Sequence, residues 1–197
     1  MPPNFDAVTT SALTTFSHTC SGDNRYLIVS VSSNASRPTA VSYAGVSMSL
    51  LYNNIAGDGA LSVWGLVNPA TGANNVVLTG GTSNSSIAAS YKDVDQTSPI
   101  SGGVGVTGTG TSTSRALVNP ANSLGVSTTA RPGAYSTFNK TFRAQSSGTW
   151  RGQLGDTTDV DPTFTWTYDI SDWFIHYVVS LLGAAAAGLK AQVVPTI

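Results

Sequence analysis

The sequence predicts an all-β fold: a single antiparallel β-sandwich, jelly-roll-like, with a short C-terminal arm. Three observations carry that prediction. Apolar and polar residues alternate with period two along most of the chain. Turn signals recur between these runs, at Gly57-Asp58-Gly59, Asn68-Pro69, Gly80-Gly81, Asn119-Pro120, Pro132-Gly133 and Ser147-Gly148. The polar positions are filled by Ser, Thr, Asn and Gly: only 10% of residues are charged, and all ten acids are Asp. Glu and Lys are the residues that carry exposed helix faces, so their scarcity leaves little to build helices from. At 197 residues, 41% of them hydrophobic, the chain can bury one sizeable core as a single domain.

The elements follow in order. "RYLIVSVSS" sets Leu27, Val29 and Val31 on one face. "TAVSYAGVSMSLLY" reads as a hairpin turning at Ala44-Gly45. "ALSVWGLV" and "NNVVLT" flank "NPATGANN", a connector in which Pro69 sets the first bend and Gly72 is free to take positive φ. A second "LVNP" at Leu117–Pro120 fades within a few residues, so it reads as convergence on one turn chemistry. "SSIAASYKDV" puts Ile87, Ala89 and Tyr91 on one side. Residues 101–115, "SGGVGVTGTGTSTSR", read either as a strand with glycine bulges or as a loop. "TFTWTYDI" places Phe164, Trp166, Tyr168 and Ile170 together. In "DWFIHYVVSLL", Trp173, Ile175, Tyr177, Val179 and Leu181 share a face, yet Phe174 and Val178 opposite are also apolar. Such a strand is covered on both sides or lies at a subunit contact. The sandwich is expected over residues 1–183 and the arm, ending "QVVPTI", over 184–197.

Charge and composition narrow the function. Net charge is −1 with no basic stripe, which argues against nucleic acid and against a membrane surface as partners. Cys20 is the only cysteine, so no disulfide closes within the chain and no cysteine metal cluster forms. "MPPNFDAVTT" has no positive n-region or apolar h-region, and no classical secretory signal is expected.

Few residues could do chemistry. "GVGVTG" at Gly103–Gly108 matches a dinucleotide fingerprint in letters only, since no helix follows it. His18 reads as a strand-end surface residue and His176 as a hydrogen-bonded structural imidazole inside an apolar strand. Cys20 shares a face with His18, but a small buried thiol is the simpler reading. With no Glu present, a two-carboxylate hydrolysis would have to run on Asp alone. No catalytic residue is therefore assigned, and no cofactor. The densest polar cluster is "GDTTDVDPTF", whose Asp156, Asp159 and Asp161 form a calcium candidate, although a hairpin loop in which Asp makes turns is the simpler reading. Trp64, Trp166 and Trp173 lie on patterned strands and read as core, whereas Trp150, beside Arg151 and near Gly148, is the ring most open to stack on a sugar.

The ordered series "VSYAGVSM", "VWGLVNPATGANNVVLT", "ASYKDVDQTSPI" and "SDWFIHYVVSL" resembles a β-sandwich type of tailed-bacteriophage structural proteins, head decoration or fibre, and of uncharacterised bacterial proteins. The resemblance spans about residues 25–182 and brings no catalytic set. It implies a non-enzymatic virion protein, most directly a capsid decoration (cement) protein at the head surface, made in the host cytoplasm. Its partners would be the major capsid protein and copies of itself. The alternative is a carbohydrate-binding or adhesive fibre or spike module, with a glycan as partner.

Overall fold

The computed structural model describes residues 1–34, 36–81 and 85–184. The proposed arm, apart from Ala184, lies outside the described residues. Among the described residues fifteen strands follow one another: β1 (Asn4–Ser11), β2 (Thr15–Cys20), β3 (Tyr26–Asn34), β4 (Ala40–Tyr43), β5 (Val46–Ser47), β6 (Ser49–Ala56), β7 (Gly59–Val67), β8 (Gly72–Thr79), β9 (Ser85–Lys92), β10 (Ile100–Ala116), β11 (Ser123–Pro132), β12 (Tyr135–Phe138), β13 (Thr141–Gln145), β14 (Trp150–Thr157) and β15 (Thr163–Leu182). Every pairing between them is antiparallel.

The fold is the expected antiparallel sandwich, but with one layer more than the two sheets of a jelly roll. A central sheet, ordered β1-β9-β3-β7-β6, lies between a small sheet, β2-β8-β4-β5, and a large one, β10-β15-β11-β14-β13, with β12 added along β15. The reason is written in β3. Leu27, Val29 and Val31 pack with Val41, Tyr43, Val76 and Leu78 of the small sheet. Their neighbours Tyr26 and Ile28 pack with Val126, Leu154, Ile175 and Tyr177 of the large sheet. Each such buried aliphatic contributes about 1.5–3 kcal/mol relative to exposure. Both faces being apolar, neither can be left to water, and two outer sheets are needed. Small serines let the layers approach closely, and one pair, Ser30 and Thr128, hydrogen-bonds across the interface at 2.6 Å.

The turns follow their sequence signals. Ala44 (φ 50) and Gly45 (φ 79) make the two-residue β4–β5 hairpin, with Tyr43 opposite Val46. "NPATGANN" carries the chain from β7 in the central sheet to β8 in the small one, with Gly72 at φ 82. The two "LVNP" stretches differ: Asn68 is left-handed (φ 47), while Asn119 is not among the positive-φ residues and is fully buried.

Residues 101–115 belong to a strand, not a loop. β10 runs antiparallel to β15 over almost its whole length, with bulges between Ser101 and Gly103 and between Gly110 and Ser112. Its glycines make room for rings: a Cβ on Gly105 would sit 2.3 Å from the Tyr52 ring, and one on Gly108 2.8 Å from Phe174. The β10–β15 ribbon bends at the second bulge, and the first half of β15 folds back over the outer face of the large sheet. Phe164 thereby packs with Val178, and Trp166 and Tyr168 with Phe174. So β15 is covered on both sides, as one of the two sequence readings requires. Ile170 is the exception to its predicted face: it sits at the bend and is 51% exposed.

Candidate functional site

The three aspartates of the proposed calcium loop do not converge. Asp156 is 1% exposed and accepts a hydrogen bond from Arg143 Nε at 2.8 Å. Asp159 pairs with Lys140 Nζ at 2.7 Å near the surface. Asp161, left-handed at φ 45, accepts the Asn119 backbone N–H at 3.0 Å. Among the described residues no group of three or more His, Cys, Asp or Glu side chains could hold a metal. The physical reason is that each carboxylate turns to a different nearby donor before any cation is considered.

What the segment does build is a cleft of about 350 Å³ at the edge where β1 meets β13 and β14, lined by Asn4, Phe5, Thr141, Arg143, Asp156 and Asp159 among others. Its architecture starts from a bulge. In the β13–β14 hairpin the register slips between Phe142 and Ala144, which makes Arg143 the extra residue. Bulges re-aim side chains, and this one lays the guanidinium over the Phe5 ring, 4.1 Å from its centroid. Nε goes to Asp156; neither terminal amino group meets an acceptor among the described residues. The Tyr91 hydroxyl is buried without a hydrogen-bond partner of good geometry and lies close enough to Asp156 for each to shift the other. Burial lifts the Asp156 carboxyl above its ordinary value, against the hydrogen bond and charge of Arg143, which lower it. For Arg143 burial is the largest single influence and works against the charge, but the hydrogen bond and charge of Asp156, with Tyr91, together outweigh it and hold the guanidinium above its usual value. Nothing in the sequence joined Phe5 or Tyr91 to this loop, because both come from the central sheet. Arg143 was in principle legible, as the cation on the strand that must pair with "GQLGDT".

The remaining sequence candidates fall into two groups. The first is buried. His18 is not a surface residue: it is 1% exposed, the middle one of three inward positions in β2 with Phe16 and Cys20. Its Nδ1 meets Thr9 Oγ1 at 3.0 Å, and burial pulls its pKa down to about 4. Cys20 is equally closed, and burial raises its thiol above its ordinary value, the reverse of a reactive thiolate. His176 sits under the folded-back ribbon with its pKa pushed down to about 3 by burial, then by Arg115. Trp166 Nε1 donates to Ser127 Oγ at 2.9 Å, Ser127 Oγ lies 2.9 Å from His176 Nε2, and His176 Nδ1 lies 3.2 Å from Thr113 Oγ1. The assignment that satisfies every group is Ser127 donating to Nε2 and Nδ1–H donating to Thr113. This serine–histidine pair is sealed from solvent, so it organises the core and meets no substrate. Beside it Arg131, fully buried, lies 3.7 Å from the Tyr168 ring centroid and donates to the Pro132 and Ile170 carbonyls.

The second group is aromatic. Trp64 and Trp166 are core, as read. Trp173 is only half-buried: its ring lies across Gly57 and Gly59 of the β6–β7 turn, where no Cβ would fit. Trp150 packs on it, centroids 4.9 Å apart at 36°, also half-buried. The expected exposed ring is therefore one of a pair. Among the described residues no helix is long and apolar enough to cross a membrane.

The class these features define is an all-β, three-layer antiparallel sandwich with a polar cleft at one edge. No protein family, curated protein or solved structure matches the chain.

Proposed function

We propose that this chain is a non-enzymatic structural protein of a phage virion, a decoration (cement) protein covering or stabilising the head surface. It would be made in the host cytoplasm and pack against copies of itself and the major capsid protein. The observation that supports this reading is a wall of strand edges whose own residues carry no charge, reached from outside by Arg37, on Asn53 Oδ1 at 2.6 Å, and by Arg115, on the Gly105 carbonyl at 3.3 Å. On the side away from the cleft the edge strands of all three sheets come together: β5 leads directly into β6, and Tyr52 of β6 covers Gly105 of β10. Residues 46–56 and 100–114, which form that wall, contain no Asp, Glu, Lys, Arg or His. Val46, Leu50, Ile55 and Val104 stand exposed on it. Edges of isolated proteins are normally guarded by charges, because their free N–H and C=O groups invite another strand. Edges with no charge on their own strands and with apolar neighbours suit a protein whose working state is a contact with other subunits. The bulges that bracket Gly103–Gly110 limit the open run, which favours a bounded contact over an endless sheet.

The test is mass in solution by light scattering. The wild type is expected to exceed the 20.2 kDa chain, and a Val104→Lys/Leu50→Lys double variant to fall back to it. A monomeric wild type, or an oligomer indifferent to both lysines, removes the wall as the contact. The virion assignment is tested by the neighbouring reading frames: capsid, portal or tail genes support it, and metabolic genes overturn it.

The second reading, a glycan-binding module, is favoured by the Trp150–Trp173 pair, since paired ring faces are a sugar-stacking surface. It requires affinity on a glycan array that Trp150→Ala removes while the fold is kept; an inert array ends it.

A further inference from the structure

The β1–β13 cleft holds a set of hydrogen-bonding groups that the fold does not use. Arg143 is fixed on two sides, by Asp156 at 2.8 Å and by the Phe5 ring at 4.1 Å, and keeps both terminal amino groups unspent. A guanidinium immobilised in this way is a preformed fork for a planar carboxylate. Around it, the hydroxyls of Thr141 and Thr158 make no hydrogen bond among the described residues, and the Asp159 carboxylate, held by Lys140 and Thr157, borders the same space; all three residues line the cleft. Lys140 stands beside the rim, bound to Asp159. Both cations are already paired with carboxylates, so the cleft carries no net positive charge: an anion is held by the geometry of the free Arg143 amino groups rather than by net charge, and a second negative charge would meet Asp156 and Asp159. At about 350 Å³ the cleft lies at the small end of ligand pockets, roughly 300–1,000 Å³.

We propose that this cleft binds a sugar acid, a monosaccharide-sized polyol bearing one carboxylate: the carboxylate on the Arg143 fork, the hydroxyls on Thr141, Thr158 and Asp159. The site is at the opposite wall from the strand edges that support the structural role and does not involve Trp150, so it stands or falls separately from both readings above.

Calorimetric titration with galacturonate, galactose, acetate and inorganic phosphate tests it. Galacturonate is expected to bind at about millimolar Kd, with galactose and acetate each at least about tenfold weaker. Arg143→Lys, which keeps the charge and loses the fork, weakens galacturonate about tenfold or more. Thr158→Val, at an exposed position where folding is not at stake, weakens galacturonate and leaves acetate unchanged. Equal affinity for galactose and galacturonate, undiminished binding in Arg143→Lys, phosphate tighter than galacturonate, or no binding of galacturonate each overturns the proposal.

Discussion

At the scale of single residues, the titratable groups deepest in the molecule set its response to pH. His18 and His176 are held neutral, with pKa values pulled from 6.5 to about 4 and about 3. Below pH 6.5 the unfolded chain takes up protons that the folded chain refuses. Their contribution is therefore complete above that pH and lost as pH falls from 6.5 toward the folded values, at up to about 1.4 kcal/mol per histidine per pH unit. Asp156 acts in the opposite sense. Its folded pKa is raised above 3.8, so it stabilises while protonated at low pH and loses that contribution as pH rises through its folded value. Denaturant midpoints are expected to fall between pH 7 and pH 5. His176→Gln should flatten that slope even as it lowers overall stability, and Asp156→Asn should steepen it toward pH 4. A wild-type midpoint unchanged between pH 7 and pH 5 contradicts the burial of both imidazoles.

At the scale of elements, local chemistry explains where strands stop and tertiary packing explains how they are decorated. The β4–β5 turn has positive φ at both central residues, Ala44 and Gly45, the pattern that favours Asn-Gly. Alanine in that region is strained, and Ala44 is exposed and uses only its backbone, donating to the Asn75 carbonyl at 3.1 Å. Ala44→Asn should raise stability by about 0.5–1 kcal/mol, read as a shift in denaturant midpoint with unchanged slope; a loss of stability would show that the turn is not of this type. The glycines of β10 make the complementary point. In sequence they were compatible with a loop, because glycine weakens a strand that must stand alone. In the fold three of them, Gly105, Gly103 and Gly108, are the positions over which Tyr52, Tyr177 and Phe174 lie, so glycines that weaken the isolated strand are also ones that let it pack.

At the scale of the whole molecule, the distribution of charge matters more than its sum. Net charge is −1, yet the strands of one wall contribute no Asp, Glu, Lys, Arg or His of their own, and only Arg37 and Arg115 reach onto it among the described residues, while the opposite wall holds Arg143, Lys140, Asp156 and Asp159. A contact made through this wall rests on apolar side chains and backbone groups more than on ion pairs, so salt has little to screen. The oligomer expected from the proposed function should therefore keep its mass from about 0.05 M to about 1 M salt, and dissociation at moderate ionic strength would exclude this wall as the interface.

The sequence by itself determined the fold class, most strand positions, the turns at Ala44-Gly45 and Gly72, and the core positions of Trp64 and Trp166. Period-two alternation and turn residues are local signals, decided within a few neighbours. Only the tertiary structure decided that there are three layers, that His18 is buried, that β15 folds back on its own sheet, and that Asp156 faces Arg143, Phe5 and Tyr91 rather than its neighbours in the aspartate loop. Alternation reports that a face is buried, not what buries it. Tyr26 and Leu27 point oppositely from one strand, and only the two sheets that cover them reveal that both sides are interior. The cleft likewise joins residues from Phe5 to Asp159, a meeting that depends on strand order, which no local pattern encodes.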